Sequence, residues 1–258
     1  MNYEAISYYV WQDVAVIKLG RPDVMNALNT QMRAEITHAA KAAADEARVL
    51  VITGKGRAFC SGQDLGDGGS AANIDVERTL RDEYVPMLKA IVDCPLPTIA
   101  AVNGPAAGAG ANLALVCDVV MAAQSAYFVQ AFTRIGLIPD AGGTWFLPRQ
   151  VGFARAMGAS LFADRISADQ ARDWGMIYES VADDAFEAHW QARAAHLAAG
   201  PTATYRYLKT AIRESYGNSL EQQLALEASL QGKCGKTRDF KEGVVAFLEK
   251  RPPNFEGR

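Results

Sequence analysis

Histidine is scarce in this chain, with three among 258 residues, and the four cysteines (Cys60, Cys94, Cys117, Cys234) stand far apart without a C-x-x-C pair. That sparseness argues against a zinc site and a disulfide framework, and leaves buried free thiols as the simpler reading of the cysteines. Long hydrophobic runs are missing too: no window approaches about eighteen apolar residues. The N-terminus has Glu4 and Asp13 around short strand-like segments rather than a basic end before an apolar run, so neither a membrane span nor a secretory leader is expected. The formal charge of -3 comes without long like-charge runs, so nothing sequence-wide attracts nucleic acid or anionic membranes, although a local basic patch for a small phosphate stays compatible. The expectation is a soluble, cytoplasmic protein whose partners are small molecules or copies of itself. Nucleotide motifs are also absent. No G-x-x-x-x-G-K-[ST] occurs, and the G-x-G of Gly108 and Gly110 is followed by Leu113 where a dinucleotide fingerprint needs its third glycine.

What is present is apolar material, 50% of the residues, ample for one large domain or a domain with a small appendage. Val14 to Leu19, Arg48 to Thr53, Thr98 to Val102 and Asp118 to Ala122 are short, partly β-branched runs bounded by turn residues, as buried strands require. Helical patterns lie between them: Thr30, read as a cap, to Ala47, Asp75 to Cys94, and Ala109 to Val116. Alternating strand and helix points to an α/β core with parallel strands. After about residue 182 the pattern turns helical, at Asp183 to Ala199, Pro201 to Tyr216, Ser219 to Gln231 and Thr237 to Arg251. Pro201 suits a first helical turn and Ser219-Leu-Glu-Gln222 reads as a capping box. Phe240, Val244, Phe247 and Leu248 form one apolar stripe, which must cover the chain's own core or a neighbouring subunit.

Three loops carry residues suited to chemistry. In Ala101-Val-Asn-Gly-Pro-Ala-Ala-Gly-Ala-Gly-Ala-Asn112, an apolar strand enters a turn of small residues that opens a helix. The first N–H groups of a helix lack internal partners and sit at its positive end, so the turn suits a developing anion; close helix-to-sheet packing explains the same composition. Gly54-Lys-Gly-Arg-Ala-Phe-Cys-Ser-Gly-Gln-Asp-Leu65 also follows a strand, with Lys55 and Arg57 as a basic rim or simply a solvated turn. Ser61 lacks the flanks of a nucleophile elbow and no histidine lies in these loops, so a Ser–His nucleophile is not expected; His38, His189 and His196 fall on predicted helices as surface or packing residues. The third loop, Gly136 to Thr144, sets Asp140 among apolar and small residues. Desolvation there would raise its pKa toward that of a proton shuttle, while an Asp ahead of Ala-Gly-Gly-Thr equally fits a helix cap.

In order and spacing, Asn103-Gly-x-Ala-x-Gly-x-Gly, Phe59-Cys-Ser-Gly-x-Asp64 and Gly136-Leu-Ile-Pro-x-Ala-Gly-Gly-Thr144 resemble the enoyl-CoA hydratase/isomerase (crotonase) superfamily, and the resemblance runs from Arg21-Pro-Asp-Val-Met-Asn-Ala-Leu28 to Phe247-Leu-Glu-Lys-Arg251. It implies an α/β crotonase fold, with repeated ββα units forming a spiral core over residues 1–199. A C-terminal α-helical region over 200–258 would build a homotrimer or a dimer of trimers. The implied partner is an acyl-CoA substrate, with no nucleic acid, membrane, metal or separate cofactor, coenzyme A being part of the substrate. By the same resemblance the N–H groups of Gln63 and Ala109 are the oxyanion donors, and Asp140 matches a carboxylate used by double-bond isomerases. Met25 and Ala27 lie along the nucleotide and pantetheine, and Ser61, Gly62, Asp64, Leu65 and Gly108 belong to the binding loops. Phe247 and Lys250 match positions that contact the CoA of a neighbouring subunit. The two glutamates with which the hydratases activate water fall on Asn112 and Phe132, neither of which can act as a base, so hydration is disfavoured. Phe128-Val-x-Ala-Phe132, the loop through Trp145 and Ala171-x-x-Trp-Gly-Met176 most resemble the branch that isomerises ring-epoxidised phenylacetyl-CoA; other branches shift 3-enoyl-CoA double bonds. Phe128, Phe132 and Trp145 fit either aromatic walls for a ring substrate or ordinary core.

Overall fold

The computed structural model describes residues 2–66 and 75–258. Its strands are β1 (Ile6–Trp11), β2 (Val14–Leu19), β3 (Val49–Gly54), β4 (Thr98–Val102), β5 (Ala106–Ala107), β6 (Val119–Ala123), β7 (Tyr127–Val129), β8 (Ile166–Ser167) and β9 (Glu179–Val181). The helices are α1 (Thr30–Glu46), α2 (Val76–Thr79), α3 (Val85–Val92), α4 (Ala109–Leu115), α5 (Gly143–Val151), α6 (Phe153–Phe162), α7 (Ala168–Asp173), α8 (Phe186–Ala198), α9 (Thr202–Glu214), α10 (Leu220–Cys234) and α11 (Arg238–Glu249). A π-helical turn, Leu80–Tyr84, joins α2 to α3, and 3-10 turns occupy Pro22–Val24 and Ala131–Ile135.

The main sheet has the order β1-β2-β3-β4-β6-β9. β1 pairs antiparallel with β2 through a tight turn, and the other neighbours are parallel. Every residue of β3 and β4 is buried, which is why these strands read as continuous apolar runs rather than as an alternation. α1 and α8 both lie against this sheet. Each Leu, Ile or Val so removed from water contributes roughly 1.5–3 kcal/mol before chain entropy is set against it.

A second, smaller ladder makes the molecule a spiral. β5 pairs with β7 in parallel and β7 with β8 antiparallel, while single bridges add Cys60 to Ala106 and Leu28 to Gln63. The chain therefore passes from the main sheet to the small ladder, then through a helix back to the main sheet, and repeats: β3 to Cys60, β4 to β5, β6 to β7. These are the repeated ββα units expected from the sequence. Strands of two or three residues are too short to carry a period-2 signal, and α5, α6 and α7 sit in a stretch broken by Gly152 and Pro148.

At the helix ends the sequence reading needs one correction. Asn29, not Thr30, caps α1, its side chain accepting from the Met32 N–H, because the capping residue must stand outside the first helical φ/ψ pair. The capping box at Ser219 and Gln222 forms as expected. Among the described residues no helix is long and apolar enough to cross a membrane.

Helix α9 is fastened to the core by charge. Asp118 accepts from the Thr98 N–H and hydroxyl, both at 2.9 Å, and pairs with Lys209 at 2.8 Å and Arg213 at 2.7 Å. Lys209 also donates to the Cys94 and Leu96 carbonyls. Removing a largely buried partner strands the charges it served. Asp118→Ala should therefore cost about 2–3 kcal/mol in urea unfolding; a loss below about 0.5 kcal/mol, the scale of a surface pair, would show that α9 is held by packing alone.

Candidate active site

The first element of the site is a main-chain amide left free by its own ladder. Leu28 donates its N–H to the Gly62 carbonyl at 2.8 Å and accepts from the Asp64 N–H at 3.1 Å. In a parallel bridge of this kind the residue between those two bonding groups turns its own N–H and C=O to the other side. That residue is Gln63, and among the described residues its N–H has no acceptor.

On that other side stands the start of α4. Gly108, at φ +53° and ψ -127°, precedes the helix, so the Ala109 N–H is the first helical donor and has no intrahelical partner. The two segments meet closely. A side chain on Gly62, whose φ is +97°, would place its Cβ 2.8 Å from the Ala107 carbonyl oxygen and 3.4 Å from the Ala109 nitrogen. A Cβ on Gly110 would come within 2.3 Å of the Cys60 carbonyl oxygen. Close packing accounts for the small residues, since they let a helix touch a neighbouring loop, and it sets the Gly62–Gln63 segment against the start of α4.

The third element is a carboxyl group. Asp140 does not cap α5, whose capping residue is Gly142 with no side-chain hydrogen bond. One of its oxygens, Oδ1, is buried without a partner, and burial pushes its pKa up to about 6. The loop presents it under constraint. Ala141 and Gly142 both have positive φ, at 48° and 82°, the former an uncommon conformation for a residue with a side chain. The Asp140 main-chain carbonyl accepts from the Gly143 N–H at 2.8 Å and from Asn112 Nδ2 at 2.7 Å. Asn112 Oδ1 in turn accepts from Gln130 Nε2 at 2.9 Å.

Asn112 thus ties the Asp140 loop to the helix that begins at Ala109. Phe132 is buried, with its ring about 4 Å from where a Gly108 Cβ would stand, so it closes the apolar side of the same space. A link to the other loop comes through Tyr84. Its hydroxyl donates to Gln63 Oε1 at 2.7 Å, and its acidity is suppressed first by burial and also by the nearby Cys60 and Asp140 groups, against the pull of Arg33. Gln63, Ala109, Asn112, Phe132 and Asp140 therefore belong to one region.

The remaining sequence-derived residues fall into two groups. Met25 and Ala27 lie in a loop held to residues 61–64: the Ser61 N–H donates to Met25, Ser61 Oγ to the Val24 carbonyl, and Arg21 bridges the Ala27 carbonyl and Asp64, both at 2.7 Å. Burial raises the Asp64 pKa, and the Arg21 guanidinium more than offsets it. Leu65 is exposed. Phe247 and Lys250 stand at the far end of the last helix, Phe247 with 83% of its surface open. Phe128 is fully buried in β7 and is core. Trp145 is partly exposed, edge-on to Phe146 and under Arg149.

Sequence reasoning misses Arg33, Tyr84 and Gln130, which only the fold brings to the site. One signal was available for Arg33. It shares the i, i+3, i+7 face of α1 with Ile36 and Ala40, all buried, and a lone cation on such a face marks an internal partner.

A spiral of ββα turns with two free amides beside a buried carboxyl is an arrangement that can polarise a carbonyl and move a proton next to it. The family model described as enoyl-CoA hydratase/isomerase matches residues 10–258. The chain is 62% identical, over the full length of both, to a Rhodobacter capsulatus protein named probable enoyl-CoA hydratase. It is 44% identical to the 1,2-epoxyphenylacetyl-CoA isomerase of Escherichia coli K12, covering 99% of each chain. The solved enoyl-CoA hydratase of Bacillus anthracis superposes with a TM-score of 0.91 at 32% identity, covering 99% of this chain and 100% of that one. The chain belongs to the enoyl-CoA hydratase/isomerase (crotonase) family, whose members act on acyl-CoA thioesters.

Burial of Asp140 has a consequence for stability. Folding raises its pKa above the unfolded value of about 3.9. Its contribution to stability is therefore complete below that value and lost as pH rises through about 6. Asp140→Asn should unfold later than the wild type at pH 8, by about 2–3 kcal/mol, with the gap closing toward pH 4. A gap independent of pH between 4 and 8 would mean that Asp140 is solvated.

Proposed function

We propose that this protein is an acyl-CoA isomerase in which Asp140 removes and returns a proton while the Gln63 and Ala109 N–H groups hold the thioester oxygen. The observation that carries the reading is the buried, unpartnered Asp140 Oδ1, a carboxyl group held where its proton is shared near neutral pH. Asp140 takes a proton from C2 of the acyl chain, and the electron pair moves onto the thioester oxygen as an enolate between the two amides. The same carboxyl returns the proton at C4, and the double bond comes to rest at C2–C3. Each amide donor of this kind is typically worth about 10²- to 10³-fold in rate. The chemistry needs no cofactor, since coenzyme A arrives with the substrate.

The substrate we favour is 2-(1,2-epoxy-1,2-dihydrophenyl)acetyl-CoA. When the ring carbon–carbon bond shared with the epoxide breaks, the six-membered ring becomes an oxepin that bears the CH2 and thioester beside a ring double bond. Moving one proton from that CH2 to the far end of the double bond gives conjugated oxepin-CoA, the same shift as for a linear 3-enoyl thioester. Similarity to the Escherichia coli epoxide isomerase supports the ring substrate, as does Phe132 facing the site. Hydration is favoured by the name of the Rhodobacter capsulatus relative. Against it, Asn112 is committed to Gln130 and the Asp140 carbonyl, and Phe132 offers no group to activate water. Binding of an acyl-CoA without turnover is the remaining reading, and C2 proton exchange separates it from all the others.

Asp140→Asn is expected to keep acyl-CoA affinity and lose isomerisation by at least about a hundredfold, while wild-type kcat/KM rises with pH through about 6 as the base ionises. Turnover near wild type in the variant would remove Asp140 from the mechanism. Side-by-side assays of the ring epoxide, a linear 3-enoyl thioester and a 2-enoyl thioester scored for 3-hydroxyacyl product decide among the reactions. Four free thiols suit the reducing cytoplasm.

We also infer a homotrimer or a dimer of trimers, with α9, α10 and α11 at the interface. Leu208, Ile212, Leu220, Leu224, Phe240 and Leu248, all on or at the start of these three helices, are large apolar side chains left more than half exposed by the single chain, as an uncovered interface would leave them. Light scattering should give a mass of three or six chains, and Leu248→Asp with Phe240→Asp should lower it; a monomeric wild type would sink this assembly.

A further inference from the structure

Gln63 has a side chain as firmly held as its main chain. Its Oε1 accepts from Tyr84 Oη at 2.7 Å and from Arg33 Nη1 at 2.9 Å, filling both lone pairs, and its Nε2 donates to the Asp64 carbonyl at 3.1 Å. Arg33 Nη1 also donates, at 2.5 Å, to the Leu28 carbonyl, the same oxygen that accepts the Asp64 N–H. One guanidinium therefore grips both sides of the bridge that turns the Gln63 amide toward Ala109. Arg33 is 2% exposed, lies 4.9 Å from the centre of the Tyr84 ring, and is neutralised by Glu83 through Nε at 3.0 Å and Nη2 at 2.6 Å.

Glu83 and Tyr84 both come from the π-helical turn Leu80–Tyr84. Such turns are rare and occur frequently at functional sites. Here the turn presents two consecutive residues to one target. A buried ion pair is weak support for stability, since apolar residues of the same volume often serve as well. The cluster converges instead on a residue whose N–H points into the site.

We propose that Tyr84 and Arg33 are positioning residues that orient the Gln63 N–H by clamping its side-chain carbonyl. This inference rests on the reading of that N–H as an oxyanion donor. Suppressed acidity keeps the Tyr84 hydroxyl a donor throughout the working pH range, and the neutral Gln63 amide passes the constraint to the backbone without bringing a charge to the enolate.

The test uses Tyr84→Phe, Gln63→Met and the double variant, with Ala109→Pro as a separate removal of the other donor, proline being tolerated at a first helical position. The readouts are kcat, KM and the infrared stretch of a 13C-labelled thioester carbonyl in bound 2-enoyl-CoA, which hydrogen bonds lower in frequency. Tyr84→Phe should reduce kcat by about 10- to 100-fold, a part of one donor's worth, leave KM within about threefold, and return the carbonyl partway toward its frequency in water. The double variant should be no worse than Gln63→Met, because the two side chains act as one unit. An unmoved carbonyl frequency in Tyr84→Phe, or losses that multiply in the double variant, would overturn the positioning role. If Ala109→Pro shifts the carbonyl and Tyr84→Phe does not, the oxyanion reading stands and the clamp fails. If Ala109→Pro also leaves it unmoved, both fail.

Discussion

The site depends on one close approach between main chains. Residues 60–63 run against residues 105–109, with the Phe59 and Cys60 N–H groups donating to the Pro105 carbonyl and the Ala107 N–H to the Cys60 carbonyl. Beyond that ladder the Ser61 N–H turns to Met25 and the Gly108 N–H to Val129, while the Gln63 N–H and the first helical donor, Ala109, have no acceptor among the described residues. Unpaired N–H groups shut inside a protein are costly. In the reaction proposed above, a ligand oxygen that satisfied two of them would bind where the fold has already met the cost of ordering, and would gain most when it carried a full negative charge. The preference of such a pair for an enolate over a neutral carbonyl follows from that arrangement.

The carboxyl is set up in the opposite way. The amides offer hydrogen bonds and lack a partner, while Asp140 offers a charge and keeps one carboxyl oxygen, Oδ1, buried without a donor. Its loop is secured through main-chain atoms, by Gly143 and Asn112, and its side chain is left unengaged. A carboxylate bound by donors would be a stable anion and a weak base. The structure therefore holds the position of Asp140 without stabilising its charge, at the expense of stability near neutral pH.

Much of this was legible in the chain. The buried strands β2, β3, β4 and β6 and the capped helix α10 carry strong local signals, an apolar run between turn residues in one case and Ser219 with Gln222 in the other. The small residues around Gly108 and the isolated carboxyl at Asp140 stood out for chemical reasons. The alternatives at these two places needed distances: a helix cap at Asp140 differs from a buried acid only by where its side chain turns. Arg33, Glu83, Tyr84 and Gln130 stayed hidden because their roles depend on partners up to 50 residues away. The second ladder was equally silent, since Ala106–Ala107 and Ile166–Ser167 are strands only by virtue of their neighbours.

The amide of Asn112 also limits what its neighbours can become. Its nitrogen faces a carbonyl and its oxygen faces Gln130, while Gly143 leaves no room beside it, a Cβ there falling 2.3 Å from Nδ2. A glutamate at that place would set a carboxylate against the Asp140 carbonyl and require a longer side chain in the same space. Such a change would remove the donor that ties the Asp140 loop to α4. A change at 112 is therefore coupled to 130 and to the loop 140–143, so these three segments can vary only together.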